Sequence, residues 1–183
     1  MMQGIATPHD EQTSAAAVTL QPISAEDTEF LYQVYASSRA DEMALLDWSS
    51  AEKQTFLRIQ FHAQHRHYHA QFRDARFDII ERDGLPIGRL YVDRRADTIH
   101  IIDIALLPEH RMRGIGGLLL RALLAEARAS GRSVSIHVEC NNPARQWYER
   151  LGFVRISDRG IYYFMRWSPA SITENPVKHR DAE

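Results

Sequence analysis

The chain predicts an α/β fold with a mixed, mostly antiparallel central sheet flanked by helices, and three observations carry that prediction. Short runs rich in β-branched and aromatic residues recur along its 183 residues. Amphipathic helical patterns separate several of them. Asp83-Gly84 joins two of the runs in a hairpin turn.

Val18 to Pro22 reads as a first strand. Ser24 caps the following helix in S-A-E-D, with Asp27 where Glu or Gln is usual, and Phe30, Leu31, Val34 and Tyr35 supply its apolar spacing. A loop through Arg39, Asp41 and Glu42 leads to a long helix over roughly 50–72, with Phe56, Leu57, Ile59 and Phe61 available for burial. Strands over 77–82, 85–92 and 99–107 follow, the last two joined by a turn at 94–97. A helix then runs to Ser130 and is stopped by Gly131. Ser133 to Glu139 is a strand and Pro143 to Arg150 a short helix ended by Gly152. A final hairpin, 153–157 and 161–167, turns at 158–160. The predicted order is β-α-α-β-β-β-α-β-α-β-β. One domain is expected over 17–167, between a flexible arm at 1–16 and a polar tail at 168–183.

A formal net charge of −2 gives no general attraction to nucleic acid. The single cysteine, Cys140, excludes an intrachain disulfide and a cysteine-built zinc site. No apolar run approaches the roughly 20 residues that span a membrane. The N-terminus lacks the basic start and apolar core of a secretory signal. The expectation is a cytoplasmic protein with no nucleic acid or membrane partner.

The stretch 104-IALLPEHRMRGIGGLLL-120 places Arg111, Arg113, Gly114, Gly116 and Gly117 at the mouth of a helix. Unpaired amides and the positive end of the helix dipole favour an anion there, and glycines admit close approach. The run lacks the Lys-Ser/Thr of a nucleotide-binding P-loop, and Leu119 breaks the dinucleotide pattern. Spacing alone leaves two readings, an anion socket or a basic tight turn.

The run 111-RMRGIG-116 resembles the R/Q-x-x-G-x-G/A signature of the GNAT acetyltransferases. A second stretch, 141-NNPARQWYERLGF-153, is similar to that family's N-x-x-A-x-x-x-Y-x-x-x-G-F element, with Asn141, Ala144, Tyr148, Gly152 and Phe153 in step. The resemblance implies a GNAT-like fold and acetyl-CoA as cosubstrate, with no metal. It implies that Arg111, Met112, Arg113, Gly114, Ile115, Gly116 and Gly117 hold the diphosphate. It further implies that strand 99–107 splays from strand 133–139 around the pantetheine arm, that a backbone amide near Leu106 bonds the acetyl carbonyl, and that Asn141 bonds the pantetheine. Tyr148 matches the family tyrosine beside the coenzyme sulfur, where a phenol of pKa about 10 protonates the leaving thiolate. Without the resemblance Tyr148 reads as a half-buried aromatic and Asn141 as a helix cap.

His100 falls where some relatives carry a glutamate or a histidine, as a base or as a strand-edge histidine facing solvent. Strict alternation puts His100, Ile102 and Ile104 on one face and Ile101, Asp103 and Ala105 on the other, unless a bulge intervenes. Asp103 reads as a structural carboxylate tied to an arginine, with a base as its other reading. The run 62-HAQHRHYH-69 lacks acids at helical offsets and suits a solvated face or a contact between two copies of the chain better than a metal. Asp41 and Glu42 are charged loop residues or receive a cationic amine, and Cys140 reads as a small buried residue. The reading is an N-acetyltransferase whose acceptor is a small-molecule amine or a protein amine, with a homodimer as one arrangement of the chain. Its alternatives are a non-catalytic CoA-binding domain and an acyltransferase using a longer acyl-CoA.

Overall fold

The computed structural model describes residues 17–158 and 160–169. The arm expected at 1–16 and all but the first two residues of the expected tail lie outside them. The strands are β1 (Val18–Pro22), β2 (Arg76–Arg82), β3 (Leu85–Arg94), β4 (Thr98–Leu106), β5 (Ser133–Glu139), β6 (Val154–Asp158) and β7 (Tyr162–Trp167). The helices are α1 (Thr28–Ser38), α2 (Ala40–Ala44), α3 (Ser50–Gln71), α4 (Ile115–Ser130) and α5 (Ala144–Arg150). They flank one seven-stranded sheet of order β1-β2-β3-β4-β5-β7-β6, antiparallel except where β4 meets β5. The predicted mixed α/β architecture is the observed one.

Local chemistry explains most boundaries. Asp27 Oδ2 accepts from the Ser24 amide at 2.7 Å, so aspartate completes the capping box ahead of α1. Ser49 and Glu52 form a second box that starts α3. Gly131 ends α4 at φ 67°, and the Arg132 amide closes back on Ala127 O at 2.9 Å. The stretch expected as a loop through Arg39 to Glu42 is instead largely the short helix α2. Ile59 faces solvent at 61% exposure, so α3 buries Leu57 and Phe61 but not Ile59.

Two cores lie on opposite faces of the sheet. One gathers α4, α5 and the strand residues Ile99, Ile101, Val134, Ile136 and Met165. The other gathers α1 and α3 through Leu31, Tyr32, Tyr35 and Phe61 over Phe77, Ile79 and Tyr91. At the sheet centre Gly88 pairs with Leu106, and a Cβ on Gly88 would lie 2.3 Å from Ala105 O. Backbone must move to admit a methyl group there. Gly88→Ala is expected to lose about 1–3 kcal/mol of stability, read as a lower midpoint in urea unfolding.

Candidate active site

The cleft begins where two strands part. β4 and β5 are in register from Thr98↔Ser133 to Ile101↔Ile136, and their pairing then stops, although β4 continues to Leu106 and β5 to Glu139. The change coincides with a bulge. Tyr91 faces Asp103 and Val92 faces Ile101, which leaves Ile102 without a partner on β3. The bulge corrects the strict alternation expected of β4. Ile102 packs in the α1–α3 core with His100 on that face, whereas Ile104 joins Ile99 and Ile101 in the α4 core.

At the end of β4 the chain passes through a short 3-10 turn, Pro108–His110, into the loop that opens α4. Met112 is left-handed at φ 57° and fully exposed, and Gly114 is left-handed at φ 80° as the N-cap of α4. No side chain caps this helix and its first turn carries no acid. A Cβ on Gly114 would meet nothing within 4 Å, so the space before these amides is open. Ile115 is buried and anchors the turn. A Cβ on Gly116 would lie 3.5 Å from the Trp147 ring, so α5 packs close against the start of α4. A Cβ on Gly117 would approach Arg121 Nη1 at 3.1 Å. Open amides, left-handed turns and absent side chains fit a diphosphate chemically.

The two arginines stand apart. Arg111 Nε donates to Leu106 O at 2.8 Å, and its Nη2 lies 3.3 Å from Ser37 Oγ. Arg113 borders a groove with Arg82, Asp83, Glu109 and His110, beside the β2–β3 turn. Leu106 is thus held through its carbonyl, and the next amide, Leu107 N–H, is committed to Ile87 O at 2.9 Å.

Tyr148 is buried on α5, its ring 5.1 Å from Trp147 and 5.6 Å from Phe153. Burial, and then the charge of Asp103, push its phenol well above the ordinary value, so it carries its proton at neutral pH. Asn141 is exposed at the end of β5 and its amide makes no hydrogen bond among the described residues. Asn141 does not cap α5: the N-cap is Pro143, without a side-chain cap bond, and just ahead of it Asn142 Oδ1 accepts from the Ala144 amide at 2.9 Å. Cys140 is half-buried, and its thiol donates to Gly160 O at 3.1 Å.

His100 does not face solvent. It is 8% exposed, stacks on Phe72, and places Nδ1 3.0 Å from Ser135 Oγ. Burial, then neighbouring His137, lower its pKa to about 4. Asp103 makes the structural contact anticipated for it. Its Oδ2 accepts from Arg89 Nη2 at 2.6 Å, and Gln64 of α3 adds a second acceptor to the same nitrogen at 3.3 Å. Arg89 is 3% exposed, and its Nε is buried with no hydrogen-bond partner. Sequence reading missed Arg89. The signal was a lone charge inside the apolar run 87-IGRLYV-92, which requires a counter-ion.

Across the cleft mouth, Arg39 Nη1 bridges Glu42 and Glu139, each at 2.9 Å. Burial alone would lower the Arg39 guanidinium, but these two hydrogen bonds outweigh it and raise it. Asp41 is exposed nearby on α2. His62, His65 and His69 line the α3 face over the sheet, with His69 stacked 4.2 Å from Phe77 and His65 4.4 Å from His69. Among the described residues there is no group of His, Cys, Asp or Glu arranged for a metal, and no helix long and apolar enough to cross a membrane.

These features define a class. The acetyltransferase (GNAT) family model matches residues 39–153, and the chain belongs to that family, whose donor is acetyl-CoA. The chain is 31% identical over 86 residues to the [ribosomal protein bS18]-alanine N-acetyltransferase of Haemophilus influenzae, covering 46% of this chain and 58% of that protein. It is 27% identical over 77 residues to the uncharacterized N-acetyltransferase CgeE of Bacillus subtilis, covering 42% of this chain and 30% of that protein. The chain therefore matches less than two thirds of either relative's length. In fold it is similar to the PaiA N-acetyltransferase of Thermoplasma acidophilum, solved with coenzyme A. That match has a TM-score of 0.63 at 19% identity and covers 83% of this chain and 99% of that one.

Two outcomes follow from the buried charges. His100 is neutral when folded and takes a proton more readily when unfolded, so its contribution is present above about pH 6.5 and lost as pH falls toward about 4. Urea unfolding between pH 7.5 and 4.5 is expected to show a smaller stability loss in His100→Phe than in wild type. Removing one partner of the buried pair, in Arg89→Met or Asp103→Asn, is expected to cost about 3–5 kcal/mol, with the double variant losing less than the sum.

Proposed function

We propose that this chain transfers an acetyl group from acetyl-CoA directly to a primary amine. The observation that carries the reading is the coincidence of the β4–β5 parting with the open, glycine-lined start of α4 and a protonated tyrosine on α5. Acetyl-CoA supplies an activated thioester. The amides from Met112 to Gly117, with Arg113, hold its diphosphate, and Asn141 bonds the pantetheine from the β5 side. The Leu107 amide and the Leu106 carbonyl are committed elsewhere, so the Leu106 amide or one earlier on β4 polarises the acetyl carbonyl.

The amine nitrogen attacks the thioester carbon, the carbon–sulfur bond breaks, and Tyr148 gives its proton to the departing thiolate, a transfer that its raised pKa makes harder than for an ordinary phenol. The amine's proton leaves through water toward His100, which is neutral at pH 7. An imidazole held near 4 is a weak base, so its share of the rate is small. The acceptor class is a small-molecule amine or a protein amine, the latter being the kind of acceptor named for the bS18-directed relative.

Calorimetric titration with acetyl-CoA and desulfo-CoA is expected to show binding in wild type and its loss in Gly114→Glu, which sets a carboxylate at the phosphate position. In a thiol-release assay over an amine panel, Tyr148→Phe should lower kcat by about 10²–10⁴-fold, and His100→Gln by about 10-fold or less. Binding without turnover on any amine would favour a CoA-binding domain, and turnover only with longer acyl-CoA a different acyl specificity.

A further inference from the structure

Arg111, expected at the diphosphate, makes contacts within the chain that suit another role. Its guanidinium joins the donor loop, the last carbonyl of β4 and the C-terminal turn of α1, through Leu106 O at 2.8 Å and Ser37 Oγ at 3.3 Å. Two residues beyond Ser37, Arg39 fastens the same end of α1 to Glu139 at the tip of β5, at 2.9 Å. β4 and β5 are unpaired beyond Ile101 and Ile136. The α1–α2 junction is therefore tied to both jaws of the cleft, where the jaws no longer hold each other. The Arg39 contact is the firmer tie, since its side chain is only 25% exposed and one nitrogen serves two carboxylates.

We infer that Arg111 and Arg39 are positioning residues that hold the end of α1 and the start of α2 as a strap across the β4–β5 mouth, so that donor binding sets the geometry of the acceptor opening. Arg111 acts through Leu106 and Ser37, and not as a ligand of the phosphates. The inference rests on the donor reading above for what binds, while the strap itself stands on contacts within the chain. Ser37 connects it to the helix, because its hydroxyl donates to Val34 O at 2.8 Å while standing next to Arg111.

The test combines amide hydrogen exchange over 31–45 with calorimetric titration of desulfo-CoA, on wild type, Arg39→Met, Arg111→Met and Ser37→Ala. Without ligand, Arg39→Met and Arg111→Met are expected to speed exchange in 31–45 by about 5-fold or more while β2 and β3 keep wild-type protection, which also shows that the variants fold. Desulfo-CoA should slow exchange in 31–45 of wild type but not of Arg111→Met, whose affinity changes by less than about 3-fold. With n-butylamine, spermidine or an alanyl-peptide amide as acceptor, the strap variants should raise the acceptor KM more than they lower kcat. The inference is overturned if Arg111→Met weakens desulfo-CoA by about 10-fold or more with exchange in 31–45 unchanged, the signature of a direct phosphate contact. It is also overturned if Ser37→Ala and Arg39→Met leave that segment as protected as in wild type. Failure of desulfo-CoA to bind wild type would instead sink the transferase reading, and the unliganded exchange would still decide the strap.

Discussion

Everything at the candidate active site depends on one backbone irregularity, the extra residue Ile102 in β4. β4 must pair antiparallel with β3 along its whole length and parallel with β5 along only part of it. The bulge bends β4 away from β5 while keeping it on β3, so backbone amides and carbonyls of both strands are left to other partners. In the middle of a sheet such groups are costly unless water or a ligand meets them. The cleft is therefore lined partly by backbone groups of β4 and β5, which serve chemistry without a side chain of their own.

The charges around this parting are arranged to hold shape more than to react. Arg89 and Asp103 sit immediately past the bulge and tie β3, β4 and α3 together. Burial keeps the His100 imidazole neutral, and burial keeps the Tyr148 phenol protonated. The field of Asp103 reaches both Tyr148 and Tyr68, and in each case it adds to burial in favouring the neutral phenol. On the rim, Asp41, Glu42, Arg111 and Arg113 are exposed.

Sequence reading recovered what local chemistry determines. The strands, the Ser24 cap, the Gly131 stop and the glycine-rich mouth of α4 all follow from short-range rules, and two separated motifs identified the family. It failed where partners are distant. Nothing near Arg111 in the chain foretells Ser37, and nothing near Arg39 foretells Glu139. The face of Ile104 required knowledge of the bulge, and Asn141 falls two residues ahead of the helix N-cap, Pro143. For His100 the sequence left open a base or a solvent-facing strand-edge histidine, and the cover that excludes the second comes from Phe72 on another element. Ile59 misled for a different reason, since α3 presents only a narrow apolar stripe and its aromatic and histidine stack does much of the covering.

The two cores on opposite faces of the sheet divide the helices between them. The helices α4 and α5 bring the donor loop and Tyr148 and pack in one core, while α1 and α3 stand over the other. Between them lies the sheet, whose strands β2, β3 and β4 send residues into both cores. The α1–α3 layer and the α4–α5 layer therefore pack independently in their cores and meet at the sheet's open end, where Arg111 reaches Ser37 and Arg39 reaches Glu139.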